Sequence, residues 1–137
     1  LILLSFSCKK DNASENITEY NWVLKAQVAS PAVTLNGKTS TDYLSLQNPE
    51  GCTKNYTFVF YASGIFAAGS NGSLCDMLAN SEERKWKREG DQLILNYDRG
   101  SAATSLAIKG NTLIGTSDIT LNGSTHTITS TYIAEKK

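Results

Sequence analysis

The stretch RKWKREGDQLILNYDRGSAATSLAIKGNTLIGTSDITLNGSTHTITSTYIA, residues 84–134, carries the clearest structural signal in this chain. It contains five runs rich in β-forming residues, and a pair of turn residues lies between each run and the next. Asn-Gly is the strongest two-residue hairpin signal, and each other pair includes a glycine that tolerates a positive φ angle. The runs span 84–89, 92–98, 101–108, 112–121 and 124–134, and the turn pairs are Gly90-Asp91, Arg99-Gly100, Gly110-Asn111 and Asn122-Gly123. The stretch predicts a five-stranded antiparallel meander.

Two-residue turns at these four sites fix the pairing of the strands, and the pairing decides which side chains share a face. The resulting registers pair Trp86 with Leu95, Leu93 with Leu106, Ile108 with Leu113, and Leu113 with Tyr132. Followed from strand to strand, one face is apolar and the other is mostly polar, with Ile94, Ile114 and Ile133 as exceptions. The apolar face comprises Trp86, Leu93, Leu95, Tyr97, Leu106, Ile108, Leu113, Ile119, Ile128 and Tyr132. Four independent turns thus predict the same buried face.

A further hairpin is predicted upstream, where two β-rich runs flank Ser63-Gly64. A two-residue turn there pairs residues whose numbers add up to 127, as 62 and 65 do. Large side chains then oppose small ones, which is typical of the inside of a narrow barrel. The pairing places Tyr56, Phe58 and Phe60 opposite Asn71, Gly69 and Ala67.

Two of the three cysteines, Cys52 and Cys75, also add up to 127 and would face each other across the far end of this hairpin. This register predicts a disulfide between them. The alternative is a pair of unlinked buried thiols, because a β-bulge would spoil the register. A zinc site is not expected, since two cysteines and one distant histidine do not make a zinc ligand set.

A first strand over residues 20–35 brings the number of predicted strands to eight. An antiparallel meander of this length leaves exposed edges unless it closes, so we expect an all-β, eight-stranded up-and-down barrel. Residues 40–47, with Asp42 near their start, predict a short helix over one mouth.

The inside of this barrel is the candidate ligand site. Its predicted lining residues are Trp22, Phe58, Phe60, Trp86, Leu95, Leu106 and Tyr132. Small inward residues beside them favour a partly hollow lumen that accepts an apolar molecule, and the alternative is that the large side chains fill it as a solid core. These small residues are Ala67, Gly69, Ala102, Gly115, Ser117 and Ser130.

Composition narrows the function further. The chain has 137 residues, enough for one domain, and its 13 basic and 13 acidic residues give no electrostatic reason to expect a nucleic acid partner. His126 is the only histidine, which argues against catalytic triads and multi-histidine metal sites. We therefore expect a protein without enzymatic activity, metal or cofactor, with His126 in a hydrogen-bonded structural role.

The N-terminus carries the last sequence signal. Residues 1–8, LILLSFSC, form an apolar run that ends in a small residue and a cysteine, and residues 9–19 are polar. The run resembles the lipobox of a bacterial lipoprotein signal peptide. The resemblance implies lipidation at Cys8, a membrane anchor and a place in the bacterial cell envelope. Residues 9–19 are then expected to be a flexible tether, followed by the barrel over 20–137.

Several short motifs follow one another in a characteristic order along the chain. They are Trp22, Ser30-Pro31-Ala32, Asn36-Gly37, Thr41-Asp42-Tyr43-Leu44, Cys52, Tyr56-Thr57-Phe58, Gly64, Cys75, Trp86, Gly90 and Leu93. Together with the lipobox, this order resembles the lipocalin-like domain of bacterial lipoproteins. The resemblance implies the same barrel, the anchor at Cys8 and pairing of Cys52 with Cys75. The expected function is a monomeric, membrane-anchored barrel that binds a small hydrophobic or amphipathic molecule. The alternative is a solid structural or interaction module of the envelope with no small-molecule ligand.

Overall fold

A computed structural model describes residues 13–47, 56–70, 84–97 and 104–137. Within these ranges the chain is almost entirely β-structure, with one short α-helix and two short 3₁₀ helices, Ala13–Glu15 and Ile17–Glu19. The α-helix, α1, is Tyr43–Gln47. The strands are β1 (Tyr20–Leu35), β2 (Lys38–Asp42), β3 (Tyr56–Phe60), β4 (Phe66–Ser70), β5 (Arg84–Glu89), β6 (Gln92–Tyr97), β7 (Thr104–Lys109), β8 (Thr112–Leu121) and β9 (Ser124–Lys136).

The strands form one antiparallel sheet in the order β4-β3-β1-β9-β8-β7-β6-β5, and β2 pairs with the second half of β1. Apart from β2, each strand lies beside its neighbours in sequence, which is the up-and-down arrangement. The sheet nearly closes where the β3–β4 turn meets β5. There, Ile65 forms a β-bridge with Lys85, and the Trp86 backbone N–H donates to the Gly64 carbonyl at 2.9 Å. The expected all-β, eight-stranded barrel is confirmed.

The meander is the part of the fold that the sequence predicts most accurately. All four expected cross-strand pairs are present: Trp86–Leu95, Leu93–Leu106, Ile108–Leu113 and Leu113–Tyr132. Most members of the predicted apolar face are buried, while Trp86 and Ile119 are partly buried. The side chain of Tyr97 lies outside the described part.

The β3–β4 hairpin corrects one prediction. It pairs Tyr56 with Ser70, Phe58 with Ala68 and Phe60 with Phe66, so paired numbers add up to 126 rather than 127. The cause is a three-residue turn, in which the Gly64 N–H donates to the Tyr61 carbonyl and Gly64 takes a φ of 93°.

This one-residue shift exchanges the faces of β4. Phe66 is buried and Ala67 is exposed, the reverse of the predicted arrangement. Cys52 and Cys75 lie outside the described residues, and the observed register no longer places them opposite each other. Their disulfide stays a prediction without this support.

The region after β1 also differs from expectation. Residues 36 and 37 form a turn with positive φ angles, and β2 follows, so the helix begins at Tyr43 rather than at residue 40. Asp42 caps the helix as expected: its carboxylate accepts hydrogen bonds from the Ser45 backbone N–H at 3.2 Å and hydroxyl at 3.0 Å. The helix packs against β1 and β2.

Buried side chains form two clusters inside the barrel. The larger cluster contains the aromatic residues of β1, β3, β4 and β9, together with leucines of β6, β7 and β8. The smaller cluster, around Ala29, Val33 and Ile128, lies beneath α1. Val33 and Trp22 are completely buried, one in each cluster.

Residues 13–19 correct the predicted tether. They form the two 3₁₀ helices and bury Ala13 and Ile17 in the larger cluster, so the expected flexible segment does not extend over 13–19. We call residues 13–19 the N-terminal cap, and the end of the barrel that they cover the closed end. Residues 1–12, including Cys8, lie outside the described residues.

Hydrogen bonds attach the cap to the barrel. The Trp22 indole N–H donates to the Ile17 carbonyl at 3.1 Å, and the Ala13 backbone N–H donates to Asn111 Oδ1 at 3.1 Å. The Arg88 guanidinium also donates to the Ser14 carbonyl. Buried side chains and directed hydrogen bonds therefore hold the cap on three sides of the closed end.

Candidate functional site

A cavity of about 300 Å³ lies inside the barrel, beside the part of the larger cluster that faces away from the cap. Six strands contribute to its wall. The described lining residues are Leu24, Gln27, Tyr56, Phe58, Leu95, Thr104, Leu106, Gly115, Thr116, Ser117, Ser130 and Tyr132. The cavity is the candidate functional site.

The chemistry of the wall changes along the strands. Moving away from the closed end, the inward residue changes from Leu24 to Gln27 on β1 and from Tyr132 to Ser130 on β9. β7 and β3 change in the same direction, from leucine or phenylalanine to threonine or tyrosine. We call the resulting ring of polar inward residues the polar belt; it consists of Gln27, Tyr56, Thr104, Ser117 and Ser130. The cavity therefore has an apolar floor and polar upper walls.

A β-bulge on β1 creates part of this belt. Between Leu24 and Ala26 the register with β9 shifts, and Lys25 is turned out to solvent. The shift restores an inward position at Gln27, which pairs with Ser130. The Gln27 amide N–H donates to the Ser130 hydroxyl at 3.0 Å. The bulge thus places a carboxamide where uninterrupted alternation would place Ala26.

Gly115 keeps the floor close to the wall. A Cβ atom at this position would lie 2.6 Å from the Leu106 side chain, closer than real Cβ contacts come. The glycine thus lets the Leu106 side chain approach β8 closely, and both residues line the cavity.

Charges next to the cavity face away from it. Lys25, in the bulge, forms an exposed salt bridge with Glu135, at 3.1 Å between Nζ and Oε2. Asp118 follows Ser117 on β8, and its carboxylate accepts a hydrogen bond from the Thr127 hydroxyl on the exposed face at 2.9 Å. No charged side chain is present among the described lining residues.

The predicted lining residues divide into two groups. Phe58, Leu95, Leu106 and Tyr132 line the cavity, and Phe58 and Tyr132 contact each other with ring centroids 4.9 Å apart. The other three, Trp22, Phe60 and Trp86, pack towards the closed end. Trp86 lies edge-on to Phe60 at 5.4 Å, and its indole N–H donates to the Tyr61 carbonyl.

Of the small residues expected inside, Gly115, Ser117 and Ser130 line the cavity. Ala67 is exposed because of the register shift in its hairpin, and Gly69 pairs with Thr57, which alternates with the inward Tyr56 and Phe58. Ala102 lies outside the described residues.

Sequence reasoning missed five lining residues: Leu24, Gln27, Tyr56, Thr104 and Thr116. The sequence already places Tyr56 on the inward face of its hairpin, beside Phe58 and Phe60, and Leu24 alternates with Trp22 on β1, so both could have been included in the predicted lining. Gln27 carries no such signal, since only the bulge at Lys25 turns it to the inside. Polar residues at inward positions are also hard to identify from a pattern that relies on apolar residues.

His126 is buried on β9, beyond Ile128, and its Nδ1 atom lies 2.9 Å from the Pro31 carbonyl oxygen. It does not line the cavity, and its contact is the structural one that the sequence predicts. In the described ranges, no group of three or more His, Cys, Asp and Glu side chains is placed to hold a metal ion. No helix of the described chain is long and apolar enough to cross a membrane.

Comparison with known proteins identifies no relative of this chain. The chain matches no protein-family model, no curated protein and no solved structure at a significant level. The functional argument therefore depends on the barrel and its cavity.

Proposed function

We propose that this protein is a lipocalin-like, lipid-anchored barrel that binds a small hydrophobic or amphipathic molecule in its lumen, without catalysing a reaction. The supporting observation is the cavity of about 300 Å³ with its apolar floor and polar belt. Ligand sites in proteins are concave, mostly apolar and equipped with a few polar groups that orient the ligand. The cavity meets this description at the small end of the usual size range.

Its volume limits the ligand. A water molecule occupies about 30 Å³ in the liquid, so the cavity holds roughly ten non-hydrogen atoms. A ligand of that size reaches a Kd of about 1–100 µM if each atom contributes roughly 0.6–0.8 kcal/mol, which lies within the observed range for small ligands. The expected ligand is therefore a compact molecule rather than a long-chain lipid.

The anchor is part of the proposal and depends on the lipobox-like run that ends at Cys8. Acyl chains on this cysteine would hold the barrel on a bacterial membrane, because each buried CH₂ group contributes about 0.8 kcal/mol. Growth of a bacterial host with radiolabelled palmitate should label the chain with its own N-terminus, and the Cys8→Ala variant should carry no label. Equal labelling of both would refute the anchor.

Lumen binding is tested by calorimetric titration of the purified chain with 2-naphthol, a neutral compound with eleven non-hydrogen atoms. We expect saturable binding with one site. Ser130→Phe places a ring inside the cavity and should abolish this binding. Thr125→Phe adds the same ring to an exposed position of β9 and should leave the binding intact.

Lumen binding would be refuted if Ser130→Phe and Thr125→Phe lost 2-naphthol binding equally. It would also be refuted if the original chain gave no saturable heat up to 1 mM 2-naphthol. The latter result would favour the second candidate, a structural module of the envelope. That candidate is supported by the closed end, where Phe60, Phe66 and Trp86 already fill the barrel.

A further inference from the structure

We propose that the lumen selects an uncharged amphiphile, with an alkyl or aromatic body on the apolar floor and a hydroxyl, carbonyl or amide head at the polar belt. This inference rests on the proposed function, because it names the class of ligand that the same cavity takes. It comes from the identity of the belt residues, which are one carboxamide and four hydroxyl groups.

The belt offers neutral donors and acceptors only. A hydroxyl group both donates and accepts, and a carboxamide has two donor hydrogens and an acceptor oxygen. Gln27 and Ser130 show the geometry, with the amide donating to the hydroxyl at 3.0 Å across β1 and β9. A neutral head group can exchange hydrogen bonds with such a ring without leaving any charge uncompensated.

Among the described lining residues, none offers an opposite charge to a charged head group. In the described parts of the lining strands, the charges that lie nearest in sequence are Lys25 and Asp118, and both are turned outwards and engaged, with Glu135 and with the Thr127 hydroxyl. His126 is separated from the belt by Ile128 on the same strand, and its ring contacts the Pro31 carbonyl. A carboxylate or an ammonium group held at the belt gains no ion pair from these residues in return for the water that it gives up.

The shape of the cavity fits the same class. Gly115 and Ser117 lie on one side, and Phe58, Leu106 and Tyr132 form the floor, so the apolar part of the ligand packs on the floor. The polar belt lies above this floor on five of the lining strands. An amphiphile thus binds in one orientation, with its head group furthest from the closed end.

The experiment compares three ligands of matched chain length on the full chain: 1-octanol, octanoate and octylammonium, each by calorimetry at pH 7.5. We expect 1-octanol to bind at least tenfold more tightly than either ion. Binding of octanoate or octylammonium with equal or higher affinity would overturn the inference and leave the proposed lumen site standing. Absence of binding by all three compounds would overturn both.

A lysine placed in the polar belt provides a second test of the selectivity. Ser117→Lys should raise the affinity for octanoate relative to that for 1-octanol at least fivefold, because the new ammonium lies beside the head group. Thr120→Lys adds the same charge on the exposed face of β8 and should change neither affinity. The inference is contradicted if the two lysine variants affect octanoate equally, since the effect would then come from overall charge.

Discussion

The closed end and the cavity are built from the same strands, and they differ in side-chain volume. At the closed end, Phe60 contacts Phe66 and Trp86 with ring centroids 5.8 and 5.4 Å apart, and Ile17 of the cap packs against this cluster. In the cavity, the inward positions of the same sheet carry Gly115, Ser117 and Ser130. Alternation along the strands decides which side chains face inwards, and their size decides whether the barrel is solid or hollow.

Because of this difference, the two regions contribute to different properties of the protein. Tightly packed aromatic rings bury large areas and dominate the stability of a small domain. Hydroxyl and amide groups in the polar belt contribute little burial and supply hydrogen bonds. We therefore expect stability to depend mainly on the closed end and ligand binding to depend mainly on the cavity.

The largest effect is expected from Phe60→Ala at the closed end. Phe60 is completely buried and contacts three aromatic side chains, so its loss leaves a void that rigid neighbours cannot fill. The free energy of unfolding should fall by about 3–5 kcal/mol, measured by urea denaturation. Val28→Ala removes apolar atoms from a side chain that is half exposed, and it should change the free energy by less than about 1 kcal/mol. Similar losses of unfolding free energy for both variants would contradict the expectation that stability depends mainly on the closed end.

The same contrast explains how much of the fold the sequence predicts. In the meander, Asn122-Gly123 and the other turn pairs restrict the turn length to two residues, so the registers follow by counting. At Ser63-Gly64 the turn has three residues, and composition does not distinguish the two lengths, because Gly64 suits both. One extra residue then exchanges Phe66 and Ala67 between the two faces.

The site is less predictable than the fold for a related reason. Four of its apolar lining residues follow from alternation, but Gln27 depends on a bulge at Lys25 that no local signal marks. The cap shows a second limit. Residues 13–19 lack an apolar period, and they are ordered by tertiary contacts, with Ile17 buried and its carbonyl bonded to the Trp22 indole. Contacts between distant residues can stabilise a segment that local propensity leaves undefined.

A smaller loss of stability is expected from Ile17→Ala in the cap. The change removes a buried branched side chain at the rim of the aromatic cluster, where the cap is able to relax into part of the void. The free energy of unfolding should fall by about 2–3 kcal/mol. Hydrogen exchange at the backbone amides of residues 13–19 should accelerate, while exchange in β8 and β9 changes less.

Glu19→Ala serves as the control for the cap, because Glu19 is exposed on the same segment. It should leave both the unfolding free energy and the exchange pattern close to those of the original chain. If Ile17→Ala behaves like Glu19→Ala, the cap contributes no packing energy and the original description of residues 9–19 as a tether is restored.

Gly115→Ala is expected to lower the stability less than Phe60→Ala or Ile17→Ala does, and to weaken ligand binding. The new methyl group would lie 2.6 Å from the Leu106 side chain, which then has to move. Because the cavity lies beside Leu106, the side chain has space to enter, and the unfolding free energy should fall by only about 1 kcal/mol, at the low end for an overpacked site. The displaced leucine occupies ligand volume, so the affinity for 2-naphthol should fall at least tenfold.

The double variant Gly115→Ala, Leu106→Ala separates this mechanism from a general loss of structure. Removal of the leucine side chain clears the cavity again, so the double variant should bind 2-naphthol more tightly than Gly115→Ala, although it is less stable. The two substitutions are therefore expected to be non-additive in binding, as residues in direct contact usually are. If the double variant binds 2-naphthol more weakly than either single variant, the space beside Leu106 is not the ligand site. Removal of the leucine side chain would then have failed to restore binding.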